Sequence, residues 1–179
     1  MKINIGAGAK KYDGFLNCDH SDLFKPDFIF DLEKDAWPFE DNSVDEVIAF
    51  HILEHLGDGY LHAIKELYRV CKDGAIINIK VPHYRHHTML HDPTHRRCIT
   101  EYGLKLFDQE FNRNDVNAST KLGLQLNVNF TLMKSEHTLC PYNPMHDRLI
   151  NKDAKFLYEY SYDKVNVFIE STFILKVKK

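Results

Sequence analysis

Five short apolar runs, each ending in residues able to bind a ligand, constrain this chain more than any other feature. The first is Ile3-Asn4-Ile5, followed by Gly6-Ala7-Gly8; the second, Phe15 to Cys18, delivers Asp19. The third, Asp27 to Phe30, ends in Asp31. The fourth, Val44 to Phe50, runs into His51-Ile52-Leu53-Glu54-His55, and the fifth, Ala75 to Val81, closes with Pro82 and His83. Ile3 and Ile5 fall at core-facing positions of a short buried strand, and such runs suit strands of a parallel sheet. Between the fourth and fifth runs, Leu61, Ile64, Leu67, Tyr68 and Cys71 recur at helical spacing. His62, Lys65, Glu66, Arg69 and Lys72 fill the other side, Asp58-Gly59 mark the start, and Gly74 is placed to terminate the helix. Strands alternating with helical or long connections describe an α/β sheet, which holds its ligands at the strand carboxyl ends. Gly6/Gly8, Asp19, Asp31, His51/Glu54 and His83 are therefore expected on one rim.

The remainder reads differently. Residues 83–100 are polar and aperiodic and are expected to form a lid over that rim. Glu101 to Phe107 predicts a short helix. Leu122 to Met133, with Leu124, Leu126, Val128, Phe130 and Leu132 in alternation, predicts a long strand. Val165 to Val177 alternates too, and is expected to pair with it antiparallel as the sheet's edge. Residues 134–164 form an insertion between these strands, partly helical from Met145 to Tyr162. No linker or repeat interrupts the chain, so one domain over residues 1–179 is expected.

A 44% apolar and 27% charged composition is that of a globular chain, and a net charge of −3 lacks the basic excess of a nucleic-acid-binding surface. The apolar runs are too short to span a bilayer. Met1 leads straight into a strand, which predicts no signal peptide. The four cysteines, Cys18, Cys71, Cys98 and Cys140, form no Cys-x-x-Cys pair and are expected as reduced thiols, consistent with a cytoplasmic chain.

Taken together, these motifs resemble class I S-adenosylmethionine-dependent methyltransferases, nearest the small bacterial and phage-type branch grouped as methyltransferase type 11. The resemblance rests on Asn4-Ile5-Gly6-Ala7-Gly8, Gly14 to Asp19, Asp31-Leu32, Trp37 to Val47, His51 to Leu56 and Glu66 to Val70. It is strengthened by Asp92-Pro93-Thr94-His95-Arg96-Arg97. It implies a Rossmann-like sheet, mostly parallel, with a C-terminal antiparallel strand pair and a reduced first helix. It implies S-adenosylmethionine as cofactor. Gly6, Ala7 and Gly8 would lie at its methionine end, Asp19 on the ribose hydroxyls, Asp31 and Leu32 beside the adenine, and His51 beside the sulfonium. Two departures stand out: Asn4 replaces the family's acid before the first glycine, and Lys10 replaces a common third glycine. A dinucleotide oxidoreductase, the competing reading, needs the glycine turn to open a long helix that holds a pyrophosphate. Ala9 to Gly14 leaves no room for one, and S-adenosylmethionine carries no phosphate.

Residues 83 to 95 carry five of the eleven histidines. The expected transfer is to a small-molecule or saccharide-type acceptor through a hydroxyl or amine, in a monomer or homodimer without nucleic acid or membrane. For a hydroxyl, His83 or His95 is expected to act as base, with Asp92 orienting the ring. Two alternatives stay open: a non-catalytic cofactor-binding protein, and a metal-dependent enzyme using His87, His91, Asp92 and His95. No metal ligand belongs to the expected site. Arg96 and Arg97 read either as an anion-binding pair or as solvated surface charge, Glu54 and His55 as braces of the next helix.

Overall fold

The computed structural model describes residues 1–115 and 120–179. Strands β1 (Lys2–Ile5), β2 (Leu16–Asp19), β3 (Phe28–Ile29), β4 (Val44–Phe50), β5 (Cys71–Pro82), β6 (Phe130–Leu139) and β7 (Phe168–Val177) form one sheet in the order β3-β2-β1-β4-β5-β7-β6. The first five run parallel, and β7 lies antiparallel between β5 and β6. This is the expected mostly parallel sheet with an antiparallel pair, and it puts the carboxyl ends of β1 to β5 on one rim. The edge is β6, with β7 one position inside it.

The first helix, expected to be reduced, is missing altogether: turns alone span residues 6–15, and no helix occurs between β2 and β3 or β3 and β4. The long crossover helix is α1 (Tyr60–Val70), which joins β4 to β5 and buries Tyr60, Ala63, Ile64, Leu67 and Val70. That stripe lies one position off the expected one. Leu61 is exposed, Tyr68 is half-buried with its hydroxyl donated to the Lys178 carbonyl, and Cys71 already starts β5. Gly74 does not end the helix. It sits inside β5 at φ +78°, where the β4–β5 register slips between Val44↔Cys71 and Glu46↔Ile76, a bulge that its positive φ permits.

One face of the sheet carries the core. Ile3, Ile5, Val47, Ala49, Ile77, Ile79, Val81, Phe173 and Leu175 pack there with α1 and with an aromatic group of Phe30, Trp37 and Phe39. Arg69 ties that group down, donating to Glu66, Asp41 and the Trp37 and Phe39 carbonyls. Alternate residues on the other face include Glu46, Asn78, Lys80, Glu170 and Thr172, joined by Asn78 to Glu46 and Lys80 to Glu170.

The second half departs from the expected pattern in two places. Residues 122–125 form a helical turn, α5 (Leu122–Gln125), after α3 (Glu101–Lys105) and α4 (Gln109–Asn114), and the strand begins only at Phe130. Leu122 and Leu126, four apart, pack on the core while Leu124 is exposed, which is helical geometry. Because β6 continues through Leu139, the connection to β7 covers 140–167 rather than 134–164. It contains α6 (His146–Leu149) and α7 (Ala154–Ser161). Segment 83–100 holds one short helix, α2 (Thr88–His91). All four cysteines are free thiols. No helix among the described residues is long and apolar enough to cross a membrane.

Candidate active site

The β1–β2 turn is held by its own backbone and by Asp19. Gly6 and Gly8 have φ of +63° and +50°, a region that costs an L side chain about 1–2 kcal/mol. A Cβ on Gly6 would land on the Ile52 side chain, whereas one on Gly8 would meet nothing within 4 Å. Asn4, in the place of an acid, donates to the Lys10 carbonyl (2.9 Å) and to Asn17 (3.0 Å), pinning both ends of the turn. Asp19 Oδ2 accepts from Gly8 N–H (2.8 Å), and Oδ1 accepts from Ser21 N–H (3.1 Å). Oδ1 also lies 3.1 Å from His20 Nδ1, whereas Oδ2 keeps a lone pair for a further donor.

Three cavities lie along the rim. A groove of about 210 Å³ is bordered by Gly6, Asp19, Asp31, Leu32 and Ile52. A second, of about 370 Å³, is bordered by Gly6, Ala7, Lys10, Tyr12 and His51. The third and largest, about 820 Å³, is bordered by His51, Glu54, His55, Asp92, His95 and Glu170. Gly6 borders the first two and His51 the last two, so the three cavities lie side by side along the rim. Six of the seven expected cofactor contacts border them. Gly8 does not, and acts through its bond to Asp19. Asp31 is engaged already: it accepts from Glu33 N–H and Lys34 Nζ, which hold its carboxyl below the usual range.

His51 sits at the end of β4 with φ +55°, an uncommon backbone state outside glycine. Its Nε2 lies 3.0 Å from Glu170 Oε2 and its Nδ1 3.4 Å from Glu54 Oε1, and those carboxylates push its pKa up. Glu170 was not expected from the sequence. Its signal was available, because an antiparallel strand begins on the rim where parallel strands end, and Glu170 stands near the start of β7.

The histidines expected as bases separate. His95 faces the 820 Å³ cavity, and its Nδ1–H donates to the Met89 carbonyl (3.0 Å). Asp92 does not orient it. Asp92 Oδ2 is 4.0 Å from His95 Nε2, and Oδ1 accepts from Thr94 N–H and hydroxyl. Segment 92–97 docks through Arg96 N–H and Arg97 N–H on the Glu54 carbonyl, with the Arg97 guanidinium over the Tyr60 ring and on the Leu56 and Gly57 carbonyls. Arg97 thus braces this segment against α1 and the loop before it.

His83 lies in another cavity of about 430 Å³ with Tyr84, His137 and Phe168. It shares the buried face of β5 with Ile77, Ile79 and Val81, its Nδ1 accepts from Arg85 N–H, and burial pushes it down to about 4. The alternative metal set is not assembled. His87 is bound to Asn166, and only His95 of that set joins a cluster. The cluster is Glu54, His55 and His95, whose ligand atoms lie within 4.8 Å of one another. Glu54 is therefore part of the site rather than only a brace.

A methyltransferase domain family model matches residues 15–79. The whole fold is similar to a S-adenosylmethionine-dependent methyltransferase from Archaeoglobus fulgidus, at 18% identity over 98% of this chain and 85% of that one, TM-score 0.63. It is also similar to a S-adenosylmethionine-dependent methyltransferase from Mesorhizobium loti, at 11% identity over 98% and 89%, TM-score 0.54. A third similar structure is phosphoethanolamine N-methyltransferase 2 from Haemonchus contortus in complex with S-adenosylmethionine, at 12% identity over 99% and 48%, TM-score 0.51. A search of curated proteins returns no match. These likenesses carry the fold, and the family model covers β2 through most of β5. The chain thus has the fold of these S-adenosylmethionine-dependent methyltransferases, and its residues 15–79 match a methyltransferase domain model; its carboxyl rim holds a Cβ-free turn, the Asp19 carboxylate and three neighbouring cavities.

Proposed function

We propose that the chain methylates a small-molecule or saccharide-type acceptor held in the 820 Å³ cavity, on a hydroxyl or amine. The observation that carries this reading is the adjacency of that cavity to the glycine-turn grooves, with Gly6 and His51 as the shared walls. The volume suits a compact acceptor rather than a macromolecule. Its wall of histidines, carboxylates and threonines suits a hydroxyl-bearing one. When bound, S-adenosylmethionine supplies an electrophilic methyl carbon and leaves as a neutral thioether.

The chain's own residues do the remainder. Gly6, Ala7 and the Asp19-braced Gly8 receive the methionine end, Asp19 the ribose hydroxyls, and Asp31 and Leu32 the adenine. Glu54 and Glu170 keep positive charge on His51 from opposing a sulfonium beside it. The acceptor's proton leaves toward the wall formed by His55 and His95, whose Nδ1 atoms are committed to Thr94 and Met89. His83, in its separate cavity, stands outside this route.

Calorimetry with S-adenosylmethionine tests the cofactor end. Wild-type protein is expected to bind one equivalent, and Asp19→Ala to bind at least about 10-fold more weakly, since it loses both the ribose acceptor and the Gly8 brace. Formation of the demethylated product with a fractionated small-molecule extract tests transfer. Binding without product in any fraction would favour a non-catalytic binder, and unchanged affinity in Asp19→Ala would remove the ribose assignment.

A further inference from the structure

We infer that Glu54, His55 and His95 form a binding site for a divalent first-row transition cation in the wall of the acceptor cavity. Glu54 is 1% exposed, and neither of its carboxylate oxygens has a hydrogen-bond partner. A carboxylate taken out of water without donors costs several kcal/mol unless positive charge or donors replace the lost hydration. The nearest cation, His51, reaches Glu54 only at 3.4 Å and shares its charge with Glu170 at 3.0 Å. Something else belongs against Glu54.

The two imidazoles beside it are prepared as ligands. Thr94 donates its one hydroxyl proton to Asp92 Oδ1 (2.6 Å), so its oxygen accepts from His55 Nδ1–H (2.8 Å). The His95 Nδ1–H donates to the Met89 carbonyl. Both rings therefore carry the proton on Nδ1 and keep a lone pair on Nε2. This is the outer hydrogen-bonding arrangement that fixes tautomer and orientation in metal-bound histidines. The rings stand 4.6 Å apart at 64°.

One ligand atom from each of the three residues lies within 4.8 Å of the others. Ligands around a cation at about 2.1 Å sit roughly 3 Å apart, so each must draw in by about an ångström. Two imidazoles and one carboxylate suit manganese, iron, cobalt or zinc better than magnesium or calcium, which prefer all-oxygen shells. Three protein ligands leave coordination positions open toward the cavity for water or an acceptor oxygen. The site stands on its own geometry; its use in catalysis rests on the proposed transfer and favours an oxygen acceptor. With the cation bound, the Nε2 lone pairs of His55 and His95 hold it instead of taking the acceptor's proton, which passes to water in the cavity.

The test is calorimetric titration of the chelator-stripped full chain with Mn²⁺, Zn²⁺ and Mg²⁺, with pulsed electron paramagnetic resonance on the Mn²⁺-loaded protein. One equivalent of Mn²⁺ or Zn²⁺ is expected, with Mg²⁺ much weaker and imidazole nitrogen coupling to Mn²⁺. Glu54→Gln and His95→Asn are each expected to weaken the cation at least about 10-fold, whereas His91→Ala, on the exposed His87–His91 pair, leaves it unchanged. Glu54→Gln should also melt higher than wild type without metal and lose the metal-dependent rise in melting temperature, a reversal that a merely structural Glu54 would not produce. Binding below about a tenth of an equivalent, or binding lost in His91→Ala and kept in Glu54→Gln, overturns the site. Cofactor affinity measured on the same wild-type protein separates the two readings, since either can fail alone.

Discussion

Two histidine-lined regions flank the sheet's carboxyl rim, and they treat the same side chain in opposite ways. Around His83, burial against Tyr84, His137 and Phe168 pushes His83 and His137 down and leaves neutral rings used as packing. Around His51, carboxylates lie within reach, pKa moves up, and the rings border an open 820 Å³ cavity. The residue type does not distinguish the two regions. Strand parity and the company of carboxylates do.

That contrast can be broken in three ways, beginning with the strongest. His95→Ala is expected to lower product formation by about 100-fold or more, with an acceptor the wild type uses, while shifting the melting temperature little. Equal turnover in the two proteins would move the chemistry elsewhere. His83→Ala is expected to do the reverse, costing about 2–4 kcal/mol in urea unfolding through lost packing. A stable His83→Ala protein with no activity would exchange the roles of the two regions.

The third prediction concerns pH. With a folded pKa of about 4 against an unfolded value of about 6.5, His83 binds its proton more readily in the unfolded chain. Its contribution is therefore complete above pH 6.5 and lost as pH falls toward 4, by up to about 3 kcal/mol. His137 and His86, also lowered by burial, act in the same direction. Urea unfolding across this window should show the loss, and His83→Phe should flatten it. A slope unchanged in His83→Phe would assign the acid sensitivity to other groups.

Much of the first half was legible because its apolar runs are short, buried and bounded by turn residues. Strands β1, β2, β4 and β5 and the rim they share follow from that pattern, as does the missing first helix from the few residues between Gly8 and Asp19. Gly74 was misread because a positive-φ glycine serves a helix end and a bulge equally well. The second half was harder. Leu122, Leu124 and Leu126 satisfy a period of two and a spacing of four at once, and tertiary packing of Leu122 and Leu126 chose the helix. Strand β6 hides behind Lys134, Ser135 and Glu136, polar residues at the sheet's margin. His83 was assignable from its place in phase with Ile77, Ile79 and Val81. Glu54 was not, because its unpartnered oxygens come from contacts distant in the chain.

The strand order carries one more consequence. Its two outermost members are β3, only two residues long, and β6, which is broken by a register shift beside Lys134 and carries the Lys134–Glu136 ion pair. Neither offers a long, flat ladder of free amides to a neighbouring molecule, so recruitment of a second chain by strand addition is disfavoured at both flanks.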